Sequence, residues 1–341
     1  MRRAGGGGLD GRRRARLALP PAERIRRYLP WYAFVLPPFG LFLLFVVYPT
    51  LQAFRLSFFR QVGGTQQFAG LYQYGRLLGD SVFVNAILNT VLLGIAFLAL
   101  VIPLAAVVAS LLNSLTRFAT PFKVIYFLPQ VTSAVAVAVV FNYVLQPDWG
   151  MLNTLLRSAG VEEVPLWLAD PRYNLTGSRM AVTILAVYIG LGYFVLILLA
   201  GLQTIPTELY DAAAIDGAGH LQAWRHITLP SLRPTFVFLL MTGTVDAMAR
   251  FSDLWTLGGP GGTPARSLQS IVMYMYQTAF EGADMNLAAA IAVVFFLIVL
   301  AITIVSFRAL LAREFGAERS VPLASALATT RRDGASPRAD G

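Results

Sequence analysis

The residues of this chain that could bind or react are few, and several stand where charge is costly. Asp246, Arg250 and Asp253 fall in or beside an apolar stretch at spacings of four and three, which a helix turns toward one face. Charges in such a stretch face a cavity or a partner. Asp246 and Arg250 can pair and lock helices together, or they can line a path. Asp253 has Phe251 and Trp255 beside it, so a carboxylate and aromatic faces could meet a solute there. Trp255 fits an interfacial aromatic belt equally well. Asn142 and Tyr143, near the end of another apolar run, are further candidates for a solute path. Asn89 and Thr90 read as bonds between helices, and Gly190, Gly192 and Gly201 as points of close helix packing. Nothing here supplies covalent or metal chemistry. There is no cysteine, so thiol nucleophiles and Cys-ligated metals are excluded. The two histidines, His220 and His226, share one short segment and have no third partner of their kind. The Gly5–Gly8 run lacks the Gly-Lys-Ser/Thr ending of a phosphate loop and reads as a linker. No catalytic residue, no metal and no cofactor are expected in this chain.

The elements that must position these groups follow from composition. Of the 341 residues, 56% are hydrophobic and 13% charged, against about 25% charged in a soluble domain. A bilayer accepts so much apolar surface; a water-soluble core does not. Six runs are long and apolar enough to be read as spans: about Trp31 to Phe54, Phe83 to Leu112, Pro121 to Leu145, Met180 to Leu202, Thr235 to Leu257, and Asn286 to Leu310. The expectation is an all-α polytopic membrane protein with six transmembrane helices. Its organisation reads as a basic tail over 1–30, a six-span domain over 31–312 and a second tail over 313–341. Both tails read as disordered. Placing both termini in the cytoplasm puts most of the 27 lysines and arginines inside, with the N-terminal arginines Arg2 to Arg27 the largest group. That cluster lacks interleaved aromatics before Tyr28, so the chain's net charge of +9 points to anionic membrane lipid and not to nucleic acid. A secretory signal fits poorly, because the first apolar run is long, holds Pro37 and Pro38, and is followed by no clean small-residue cleavage site.

One inner loop, over 204–233, is unlike the others. Pro206 suits the start of a helix, and Glu208 and Asp211 fall in its opening turns, where negative charge meets the helix dipole. Leu209, Ala212 and Ala213 recur at helical spacing as a small apolar face. Gly217 can supply the left-handed residue that ends the helix. A second amphipathic stretch, Leu221 to Leu229, stops at Pro230. Periodicity alone leaves two readings open: a helix pair lying on the membrane surface, or a shallow face that sits in another protein's groove.

In this loop Asp211-Ala212-Ala213, three residues, Gly217, nine residues, Ile227, one residue and Leu229-Pro230 stand in order. The pattern resembles the Glu-Ala-Ala motif of binding-protein-dependent ABC importer permeases. Asp211 departs from the usual Glu, keeping the charge and shortening its reach by one methylene. The resemblance implies that Glu208, Asp211, Ala212, Ala213 and Gly217 form a coupling element that docks on a cytosolic ATPase. Further stretches resemble the carbohydrate-uptake group, and within it the maltose-type F subunit, first of two paired permeases. They are Phe68-Ala-Gly-Leu-Tyr-Gln-Tyr, Gly150-Met-Leu-Asn-Thr-Leu-Leu, Trp167-Leu-Ala-Asp-Pro, Leu198 to Leu209, Phe251 to Pro260 and Tyr276-Gln-Thr-Ala-Phe.

What the resemblance implies is a permease for a sugar or sugar-like solute in a bacterial or archaeal cytoplasmic membrane. Its partners would be a second permease, two cytosolic ABC ATPase subunits that use ATP, and an extracytoplasmic solute-binding protein. Sugar sites combine a hydrogen-bonding carboxylate or amide with an aromatic face, which suits Asp253, Phe251 and Trp255. Two rivals are a transporter driven by an ion gradient and a membrane scaffold that recruits an ATPase without transporting. The first should carry internal repeats with intramembrane acids in matching halves, and no such repeat is visible.

Overall fold

The computed structural model describes residues 21–114, 119–168 and 177–318. Of the two tails expected to be disordered, 1–20 and 319–341 lie outside the described residues, whereas 21–30 and 313–318 are helical, as the first turns of one helix and the last turns of another. The chain divides into two units, 1–56 and 57–341. In the first, α1 (Pro21–Phe42) passes through a π turn (Leu43–Val47) into α2 (Tyr48–Leu56). Residues Trp31–Leu56 are long and apolar enough to cross a membrane, as the sequence predicts for its first span.

The second unit opens on a hairpin, which the all-α expectation did not contain. Strand β1 (Phe59–Val62) pairs antiparallel with β2 (Thr65–Phe68), with Phe59 opposite Phe68 and Val62 opposite Thr65. After α3 (Tyr72–Leu78) comes α4 (Ser81–Ser114), the long helix around which the unit is built. α4 is apolar on every side. Leu93, Phe97, Val101, Ala105, Ala109 and Leu112 are buried, while Leu88, Leu92, Ile95, Leu104 and Leu111 are exposed on the other side. Such an all-round apolar helix belongs in lipid or in a core, and here one helix does both. Its buried side packs along α8 (Gly177–Leu202) and α12 (Arg233–Met248), with Phe97 edge-on to Phe194 at 5.7 Å between ring centres.

Two expected spans are interrupted. The run expected over 121–145 is α5 (Ala119–Val131) and α6 (Ala134–Val144), bent by 96° at Thr132–Ser133. Pro129 removes one backbone donor from the last turn of α5, and Ser133 is extended at φ −57°, ψ 125°. The run expected over 235–257 is α12 and α13 (Ser252–Gly258), separated at Ala249–Phe251. Phe251 leaves the helical region at φ −136°, ψ −58°. The break is held, not loose: the Ser270 hydroxyl donates to the Arg250 carbonyl at 3.1 Å. Apolar run length does not register either interruption, because each break is only two or three residues within a run that stays apolar on average.

The remaining elements are α7 (Met151–Ser158), the loop helices α9 (Thr207–Ile215), α10 (His220–Ala223) and α11 (Leu229–Ser231), then α14 (Ile271–Tyr276) and α15 (Met285–Glu318). Among the described residues four helices are long and apolar enough to cross a membrane, and a fifth if α5 and α6 form one bent span.

Candidate functional site

The loop between α8 and α12 is a helix, a bend and a second helix. α9 starts after Pro206, whose φ of −59° and ψ of 133° place it as the cap. Its end has the hydrogen bonds of a Schellman motif: Ala218 N–H donates to the Ala213 carbonyl at 2.9 Å, and Gly217 N–H to the Ala214 carbonyl at 3.1 Å. Gly217 sits at φ +77°, in the left-handed region a side chain disfavours. The second helix differs from the expectation. It runs from His220 through a π turn (Trp224–Thr228) and does not stop at Pro230, which lies in the first turn of α11. The proline lacks the N–H that would bond back into the helix, and it follows directly on the π turn.

Glu208, Asp211, Ala212 and Gly217 are exposed and Ala213 is half-buried. The largest apolar projections of the loop are two residues outside the motif: Ile215, 87% exposed, and Leu221, 77% exposed, one on each side of the bend. Sequence reasoning missed them; an isoleucine and a leucine flanking a helix-ending glycine are the signal that could have found them. Inside the loop the Tyr210 hydroxyl meets the Thr228 hydroxyl at 2.9 Å. The Trp224 indole N–H donates to Ser110 Oγ of α4 at 2.9 Å. Around that contact lies a cavity of about 660 Å³, lined by Val107, Leu111, Tyr210, His220, Leu221 and Trp224 among others.

The other sequence candidates gather at the far end of the bundle. Arg250 pairs with Asp253, not with Asp246 as one reading of the spacing had it. Its Nε donates to Asp253 Oδ2 at 3.0 Å, its Nη2 bonds the same oxygen, and Nη2 also donates to the Val182 carbonyl at 3.3 Å. Asp253 is 7% exposed. The third guanidinium nitrogen, Nη1, is buried without a hydrogen-bond partner among the described residues. Asp246, one helix earlier on α12, is exposed. Three residues expected on one face of one helix are thus divided by the break at Ala249–Phe251.

Phe251 and Trp255 pack against each other at 5.2 Å and both contact Tyr276, at 5.4 and 5.2 Å; Tyr276 in turn contacts Phe280 at 4.8 Å. α13 lies against α6, and Phe141 joins Phe251 and Trp255 on one apolar cluster. Asn142 is half-buried and accepts from Gln146 at 3.0 Å, while Tyr143 is exposed and packs on Trp149 at 5.6 Å. The structure therefore brings Phe251, Trp255, Arg250 and Asp253 together and keeps Tyr143 in a separate aromatic pair.

Asn89 and Thr90 do more than join helices. Asn89 Nδ2 donates to the carbonyls of Arg266 at 2.7 Å and Gln269 at 3.2 Å, its Oδ1 accepts from Arg179 at 2.6 Å, and Thr90 Oγ1 accepts from Ile271 N–H at 2.9 Å. The loop between α13 and α14 is thereby fixed to α4. A second polar seam ties the hairpin region to α14 and α15. Gln66 and Asn286 exchange amide bonds at 2.9 and 3.3 Å, Arg76 pairs with Asp284 at 2.8 Å, and the Tyr274 hydroxyl donates to Asp80. Burial, then the hydrogen bond to Asp80, push the Tyr274 phenol up to about 12.

Comparison with known proteins fits this arrangement. The chain is 33% identical over 278 residues to the arabinooligosaccharides transport system permease protein AraP of Halalkalibacterium halodurans, covering 80% of this chain and 85% of that protein. It is 31% identical over 278 residues to the trehalose/maltose transport system permease protein MalF of Thermococcus litoralis, covering 80% and 91%. It shares the fold of a chain in the crystal structure of a bacterial ABC transporter involved in the import of the acidic polysaccharide alginate, with a TM-score of 0.71 at 24% identity over 84% of this chain and 97% of that one. Residues 72–316 match the family described as binding-protein-dependent transport system inner membrane component, and the chain belongs to that family.

Proposed function

We propose that this chain is the sugar-conducting permease subunit of an ATP-driven importer, with both termini in the cytoplasm and six crossings, two of them broken. In this reading the crossings are 31–56, α4, α5 with α6, α8, α12 with α13, and α15. The chain pairs with a second permease. Two cytosolic ATPases bind below and consume ATP, an extracytoplasmic binding protein delivers the solute above, and this chain holds no cofactor of its own.

The observation that carries the reading is the α9–Gly217–α10 bend. A helix terminated rigidly by a Schellman motif presents Glu208, Asp211, Ala212, Ala213 and two apolar projections, Ile215 and Leu221, clear of the bundle. Small residues permit close approach, and apolar knobs gain affinity by leaving water. The motion of an ATPase would pass through this unit as a push on α8 and α12, a two-state mechanical link.

The solute class rests on the likeness to sugar permeases and on the chemistry of the outer cluster. Phe251, Trp255 and Tyr276 offer rings for the C–H faces of a pyranose. Asp246 offers an exposed carboxylate in a membrane span, which belongs in a cavity or against a partner. Asp253 and Arg250 frame the site from within, and Asn142 and Tyr143 stand on the neighbouring α6.

The test is uptake of radiolabelled arabino- and malto-oligosaccharides by the complex reconstituted with its ATPases. ATP-dependent uptake is expected, and Ile215→Asp should lower it at least about tenfold, since placing a charge in a docking groove costs more than 1.4 kcal/mol. Uptake that persists with the ATPase subunits absent would instead point to an ion gradient. Solute-stimulated ATP hydrolysis without any uptake would favour the scaffold.

A further inference from the structure

The loop that bears α9 and α10 is continuous in sequence with α8 and α12, so those two helices are its obvious outlets. The hydrogen bonds add a third. Trp224, on the π turn of the loop, reaches across to α4 and donates to Ser110 Oγ at 2.9 Å. Ser110 in turn donates to the Ala106 carbonyl of its own helix at 2.7 Å, which fixes the hydroxyl's direction. The contact stands beside an open pocket of about 660 Å³, and it adds a directional polar link to the apolar cluster that Ile205, Tyr210 and Ile227 share with Ala106, Ala109 and Leu112 of α4.

α4 stays helical from that pin to the other candidate site, although Pro103 between them removes one backbone donor from its ladder. Ser110 and Asn89 are 21 residues apart, which at 1.5 Å per residue is about 31 Å along the axis. At the far end Asn89 and Asn85 both donate to the Arg266 carbonyl, at 2.7 and 3.2 Å, and Asn89 also donates to the Gln269 carbonyl. Thr90 accepts from Ile271 N–H. One residue before, Ser270 donates to the Arg250 carbonyl at the break in span five. A single helix is thus hydrogen-bonded at one end to the coupling loop and at the other to the segment that holds Arg250.

We infer that α4 is a transmission rod and that Trp224 and Ser110 are the positioning residues that engage it. Movement of the loop pulls on α4 through the indole–hydroxyl pair, and α4 shifts the 266–271 segment and with it the Arg250–Asp253 corner beside the aromatic rings. This inference rests on the reading of the loop as an ATPase-coupling element.

The absence of cysteine makes the test direct, since the only thiols in this chain are those introduced. In the full complex, spin labels at Ala265→Cys and Leu155→Cys, both exposed, report the outer distance, and a separate label at Asp216→Cys reports the loop. ATP with vanadate should shift both signals in the otherwise native chain. Ser110→Ala, and Trp224→Phe, which keeps the ring and loses the donor, should leave the loop signal moving and cut the outer shift by roughly half or more. Ser110→Thr, which keeps the hydroxyl, should restore it. A full outer shift in both Ser110→Ala and Trp224→Phe overturns the role of α4. A loop label that fails to respond in the native chain overturns the coupling reading itself, and the inference with it.

Discussion

Arg250 and Asp253 are the residues whose roles the fold changed most. On a continuous helix, Arg250 would sit one turn from either Asp246 or Asp253. The break at Ala249–Phe251 turns the guanidinium inward, where both partners of the ion pair are nearly out of solvent. Removing one partner of such a pair strands the other, at a cost of about 3–5 kcal/mol. Asp253→Ala should therefore lower the thermal stability of the purified protein markedly. Asp246→Asn, at an exposed carboxylate, should change stability by less than about 0.5 kcal/mol. Equal melting temperatures for the two variants would contradict the assignment. The same reasoning separates their expected effects on transport. A defect in Asp253→Ala carries a structural component, whereas a defect in Asp246→Asn reports on the path itself. Gly217 was legible because its type and its place after a helical run both point to a left-handed bend. The Arg250–Asp253 pair was not, because spacing presumes an unbroken helix.

At the scale of elements, the close approach of α5 to α8 depends on one missing side chain. A Cβ built on Gly192 would lie 2.2 Å from the Tyr126 carbonyl oxygen and 2.8 Å from Phe127 Cα. Those are backbone atoms and cannot swing aside. Gly192→Ala should push the helices apart at an overpacking cost of about 1–3 kcal/mol, seen as a lower melting temperature in detergent. Gly190→Ala is the comparison: its Cβ would meet only the rim of Phe97, at 3.0 Å, and a ring can shift. If Gly192→Ala melts no lower than Gly190→Ala, the approach of α5 is not as close as described. The sequence marks these glycines as packing points without ranking them, since rank depends on which atoms of a distant helix arrive opposite.

Across the whole molecule, the candidate sites fall in two groups. One contains the loop with Gly217, the other the Arg250–Asp253 corner, and α4 runs from one to the other. Sidedness is a prediction of this arrangement combined with the arginine distribution. In intact cells a membrane-impermeant maleimide should label Leu78→Cys, at a residue 83% exposed beside α4's far end, without permeabilisation. Asp216→Cys should be labelled only after the membrane is opened. The reverse pattern would invert the topology and remove the loop from the reach of a cytosolic ATPase.

Composition and apolar run length determined that this chain is a helical membrane protein, because burying so much apolar surface requires lipid. The Asp211 to Pro230 pattern determined the helix–bend–helix of the loop between α8 and α12, since caps and glycine act within a few residues of themselves. Tertiary structure decided where runs break, which charges pair and which side chains stay exposed. The breaks at Thr132–Ser133 and Ala249–Phe251 lie inside runs that are apolar on average, and the second is held by a contact from elsewhere, Ser270 on the Arg250 carbonyl. The link from Trp224 to Ser110 joins residues 114 apart in the chain. No local pattern encodes such a contact, because it exists only once α4 and the loop have been brought together by the packing of α8 and α12.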